Sequence, residues 1–172
     1  MALFVLSVVG SDRPGLTEAL ANAVVSVGGN WLESHLSRLG GLYVGSVLVE
    51  LEATGAESLR AAASAVDARG LEVRIAPAGD GAGPAGEALI FTLVGQDRPG
   101  IVRQVTAVLA SLDVNIETFE TWITAEPHSG TPLFHLKTRL RLPLALEPGR
   151  VQAALERISA EILVDASITP AS

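Results

Sequence analysis

The tetrapeptide Asp12-Arg13-Pro14-Gly15, which recurs as Asp97-Arg98-Pro99-Gly100, has the clearest capacity in this chain to hold a small anion. Proline suits the first position of a helix, because its fixed φ fits and its missing N–H would have no partner there. An aspartate just upstream can accept hydrogen bonds from free first-turn amides and favours the positive end of the helix. Glycine at Gly15 and Gly100 removes side-chain bulk over that end. The expected product is a pair of helices starting at Pro14 and Pro99, with open N–H groups able to bind a carboxylate. On this reading Gly100→Leu fills the site and leaves the fold largely intact. Each tetrapeptide is followed at the same interval by an asparagine, Asn30 or Asn115, which offers a donor and an acceptor to a polar ligand. One such tetrapeptide alone would be merely a good helix start. Two, with matched asparagines, point to a ligand.

Other chemistry is thinly represented. His35, His128 and His135 show no helical i, i+3 or i+4 pairing, and only His128, beside Glu126 in a loop, suggests even a weak ligand set. Ser11 precedes Asp12, but its counterpart in the second tetrapeptide is Gln96, which cannot act as a nucleophile. No G-x-S-x-G segment occurs, and GAGPAG lacks the Lys-Ser/Thr of a phosphate loop. With no cysteine, disulfides and thiolate sites are excluded, and a reducing cytoplasm is compatible. The expectation is no catalytic residue, no metal and no cofactor. A net charge of −7 opposes direct nucleic-acid binding. No apolar run approaches a membrane span, and the apolar start lacks a basic flank, so it reads as a strand rather than a signal peptide.

The elements that must position these residues follow from a duplication. Gly10–Leu16 returns as Gly95–Ile101 at an offset of 85, and the same offset pairs Asn30 with Asn115. Beyond that point an insertion of about six residues in the second copy aligns Tyr43–Leu51 with Phe134–Leu142, and Leu59–Val66 with Val151–Ile158. Between the copies, residues 77–87 hold four glycines and two prolines and read as a linker, leaving modules at 1–76 and 88–172. Each copy begins with an apolar strand (Leu3–Val9, Leu89–Val94) and continues into a helix with apolar residues at helical spacing. Two strands follow, Trp31–Leu39 with Leu42–Leu51 and Ile116–Thr124 with Leu133–Leu142. A helix and a short strand, Leu71–Ile75 or Val164–Ile168, complete the order βαββαβ. This is an α+β fold: each module is a four-stranded antiparallel sheet with two helices on one face.

Alternation along the third strands predicts their outward faces. In the second copy His135, Lys137, Arg139 and Arg141 point outward, most simply as a solvated face. The matching residues of the first copy are Val44, Ser46, Leu48 and Glu50, and an apolar pair there calls for a covering partner. Either the second module of the same chain or the same face of another subunit would cover it, and a twofold homodimer is the favoured of the two.

The two strand–helix tetrapeptides, each followed by Asn30-Trp31 or Asn115-Ile116, resemble the ACT domain, and the resemblance spans nearly the whole chain outside the linker. It implies the ferredoxin-like βαββαβ fold and binding of an amino acid or similar small ligand between two modules. The turn of one module would supply backbone groups and the second strand of its neighbour polar side chains. Carried over by position, this nominates Asp97, Gly100, Ile101 and Asn115, with Asp12, Gly15, Leu16 and Asn30. Trp31 stands where the family has Ile or Val, and its indole would fill ligand space in the first copy. A free-standing pair without a catalytic domain is similar to the repressors of the glycine cleavage system, which implies action through a transcriptional activator. The competing readings are a structural adaptor without ligand, and a small enzyme on a ferredoxin-like scaffold.

Overall fold

The computed structural model describes residues 1–79, 85–161 and 164–171. The chain divides into two compact units, Met1–Gly81 and Ala82–Ser172. The first contains β1 (Ala2–Ser11), α1 (Leu16–Ser26), β2 (Asn30–Leu39), β3 (Leu42–Leu51), α2 (Ala56–Asp67) and β4 (Leu71–Pro77). The second repeats the order with β5 (Ala88–Gln96), α3 (Ile101–Ser111), β6 (Asn115–Ala125), β7 (Pro132–Arg141), α4 (Pro148–Glu161) and β8 (Val164–Pro170). Both sheets are antiparallel, with orders β2-β3-β1-β4 and β6-β7-β5-β8. The βαββαβ architecture expected from the duplication is therefore the observed one. Of the expected linker, Pro77 belongs to β4 and 80–84 lie outside the described residues. Among the described residues no helix is long and apolar enough to cross a membrane.

Each unit has its own core, on one face of its sheet. In the first, Leu6, Val8, Val47, Val49 and Leu71 from the strands meet Leu16, Leu20, Val24, Leu59 and Val66 from the helices. Spacings of three and four residues put Leu16, Ala19, Leu20, Ala23 and Val24 on one side of α1, which is why that side is buried. The second core repeats this with Phe91, Leu93, Leu136 and Leu140 against Ile101, Val105, Leu109, Val151 and Leu155. Trp31 lies opposite the buried Val49 and packs against the first core.

Two local features shape the outward faces. Antiparallel register slips by one residue between Trp31 and Glu33, and again between Ile116 and Thr118. Leu32 and Glu117 are thus equivalent bulge residues near the start of their strands. The insertion in the second copy lengthens the β6–β7 connection, where Glu126 and Thr131 face each other across the loop.

Candidate ligand-binding site

Each strand–helix turn ends in a glycine with positive φ, Gly15 at 90° and Gly100 at 97°, directly before the first helical residue. The helices therefore start at Leu16 and Ile101, two residues later than Pro14 and Pro99 would have set them. That shift corrects the expected capping. Neither helix has a side-chain cap, and Asp12 instead forms an ion pair with Arg38 of β2 at 3.0 Å. With the left-handed glycine inserted, the aspartate sits on the strand side of the turn, where Arg38 is the nearer partner. Asp97 is held through its backbone, its N–H donating to the Pro132 carbonyl at 3.0 Å.

The helix N-termini are therefore open. The Gly15 and Gly100 carbonyls accept the first helical bonds, from Ala19 and Gln104, and the N–H groups before those have no intrahelical partner. A Cβ built at Gly15 or Gly100 would meet nothing within 4 Å. Space is thus free above both turns, but the backbone there disfavours any L side chain by roughly 1–2 kcal/mol. Gly100→Leu would consequently strain the turn as well as fill it, contrary to the expectation from sequence. Leu16 and Ile101 are buried, so each can offer a ligand only its backbone amide.

Around the first turn the structure adds residues that the motif did not nominate. Arg13, Arg69 and Glu18 line an open groove of about 440 Å³ with Pro14, Gly15, Leu16 and Ala19. The Arg13 guanidinium lies over Gly70, near enough that a Cβ there would sit 3.4 Å from it. Thr17 Oγ1 and Tyr43 Oη share a 2.7 Å hydrogen bond that ties α1 to β3. The second copy has Val102 and Phe134 at these positions, so the polar tie is replaced by apolar residues. Arg69 and Gly70 close α2 and have no sequence signal of their own; only the tertiary fold brings them beside the turn.

Asn30 and Asn115 are exposed and open β2 and β6. Each lies at the far end of its own module from the turn, because α1 and α3 run the length of the sheet, roughly 16 Å for 11 residues. A single module therefore does not bring its turn and its asparagine together. Across the sheet Asn30 faces Glu50, and Asn115 faces Arg141. Arg141 is engaged with Glu117 at 2.8 Å and with the Gly86 carbonyl at 3.0 Å, while Arg139 bonds Glu117 at 2.9 Å. The hydrogen bond from Arg141, and then that from Arg139, hold the Glu117 carboxyl below the usual carboxylate range against the opposing effect of burial.

The histidines are scattered. His35 meets Glu33 at 3.0 Å, and His135 stacks on Trp122 with ring centroids 5.1 Å apart while bonding Thr124 at 2.7 Å. Among the described residues no three His, Asp or Glu side chains converge on one point.

An ACT domain family model matches residues 2–75 and 87–125. A solved structure of an unknown protein from Galdieria sulphuraria is 31% identical, covers 99% of each chain and superposes with a TM-score of 0.88. A candidate glycine cleavage system transcriptional repressor is 14% identical over 99% of this chain and 98% of its own, with a TM-score of 0.72, and so shares the fold. No curated protein matches the chain.

Proposed function

Because the chain belongs to the ACT domain family, we propose that it is a non-enzymatic regulator that senses a small amino acid or related carboxylate. The observation that carries this reading is the duplicated, uncapped helix start beneath open space at Gly15 and Gly100. Backbone amides at such a terminus suit a carboxylate. Asp12, Gly15, Leu16 and Asn30, with Asp97, Gly100, Ile101 and Asn115, form the proposed half-sites, each needing its complement from a partner module. The fold shared with a candidate transcriptional repressor favours control of transcription, exerted in the cytoplasm through a protein partner such as an activator. The net charge of −7 argues against the protein gripping DNA itself.

A second reading rests on one feature. Val44 and Leu48 lie on the helix-free side of the first sheet, where the second copy has His135 and Arg139. Such a face suits a homodimer contact, and an adaptor would need nothing more.

Thermal melts with the twenty common amino acids separate the readings. A ligand at about 100 times its Kd should add ~2.7 kcal/mol of stability to the parent chain. Gly100→Asn, which tolerates positive φ better than other side chains, should weaken binding about tenfold and leave ~1.4 kcal/mol of that gain. No stabilisation by any amino acid would favour the adaptor.

A further inference from the structure

We infer that Glu50 is the acceptor for the ligand's ammonium group, and that Arg141 denies the same role to the second module. This rests on the ligand-sensing reading above and names the ligand class for one half-site. Asn30 and Glu50 are direct partners across β2 and β3, and the buried neighbours Val49 and Leu51 place Glu50 on the helix-free face. Directly opposed residues of an antiparallel pair have Cβ atoms about 4.5–5.5 Å apart, so one small group can meet both side chains. Glu50 has no cationic partner among the described residues. The adjoining bulge residue is Leu32 and the next outward residue of β3 is Leu48, whose partner Glu33 is engaged by His35 at 3.0 Å, so Glu50 is the carboxylate that directly faces Asn30.

The second module inverts that arrangement. Its four equivalent residues are Asn115, Glu117, Arg139 and Arg141, with the single carboxylate bonded to both arginines. The strand end beside Asn30 thus carries a net negative charge, and the one beside Asn115 a net positive charge. Once a helix N-terminus has taken the carboxylate of an α-amino acid, its ammonium group still requires acceptors, and a carboxylate is the strongest of these. Asn30 with Glu50 supplies that acceptor. At Asn115 the facing guanidinium repels an ammonium group. The chain should therefore hold one ammonium-dependent site, not two.

Calorimetric titration of the full chain tests this, using the twenty common amino acids and, for each that binds, its analogue lacking the amino group (propionate for L-alanine, succinate for L-aspartate). The parent should bind one equivalent of the amino acid, at least tenfold more tightly than the analogue. Glu50→Gln should remove that tenfold preference and leave the analogue's Kd unchanged, whereas Glu50→Asp should retain a preference. Circular dichroism identical to the parent's confirms that the variants fold. An unchanged amino-acid Kd in Glu50→Gln, or two equivalents bound to the parent, overturns the role of Glu50 while the ligand-sensing reading stands. No binding of any amino acid or analogue to the parent overturns both.

Discussion

Phe91→Ala should destabilise the second module by about 3–5 kcal/mol and leave the first module folded. Phe91 is fully buried at the centre of β5, among Leu93, Ile101, Leu109, Leu136 and Leu155. Truncation removes its transfer energy and opens a cavity that strands held on both sides of β5 cannot close. The two cores contain no common residue, so the damage should stay in one unit. Each module carries one tryptophan, Trp31 against the first core and Trp122 stacked on His135, which makes the outcome visible by fluorescence. With Trp31→Phe as background, the Trp122 transition should fall by ten degrees or more, since about 1 kcal/mol moves a module of this size by ~4–8 °C. With Trp122→Phe as background, the Trp31 transition should stay in place. Simultaneous loss of both signals would show that the modules fold as one unit.

Gly10→Ala is the second large effect, and it reaches the candidate site. A Cβ at Gly10 would lie 2.4 Å from the Gly70 carbonyl oxygen and 2.9 Å from Leu71 Cα. Both are backbone atoms of the turn into β4, so no side-chain rotation relieves the contact. Gly10 pairs with Leu71 across β1 and β4, and the strand must shift to make room. Overpacking of this kind costs about 1–3 kcal/mol, and a backbone clash falls at the upper end. Because Arg13 rests over Gly70, the same shift should disturb the groove beside Gly15. Urea denaturation should show the loss in Gly10→Ala, while Ser11→Ala, one residue along the strand, stays within about 0.5 kcal/mol of the parent. Equal stability of the two variants would mean that β4 does not pack as closely as described.

The fold was legible because each module repeats the same apolar periods, so an ambiguous run in one copy could be checked against the other. The places of Asn30 and Asn115 at the heads of β2 and β6 were legible for the same reason. The helix start is less legible, since proline signals it two residues early and nothing in DRPG reveals that the glycine is left-handed. The end of α3 is similar: Asp113 has φ 53° without being glycine, where the first copy has Gly28 at 73°. Charge partners were the least legible. Arg38 with Asp12, and Glu117 with Arg139 and Arg141, depend on strand register and on a one-residue bulge. Alternation alone assigned the arginines to solvent, yet the bulge at Glu117 turns two of them into a closed ion-pair network.

On the proposed function, a small amino acid or carboxylate is held jointly by a strand–helix turn and a strand-end asparagine. Nuclear magnetic resonance titration of the ¹⁵N-labelled chain, with an amino acid that stabilises it, tests this most directly. First-turn amides, Leu16 to Glu18 or Ile101 to Arg103, should shift together with the side-chain amide of Asn30 or Asn115. Both sets should saturate at one common concentration, although within a module they lie at opposite ends of the sheet. Shifts confined to one end, or confined to the groove between the paired helices, would contradict it.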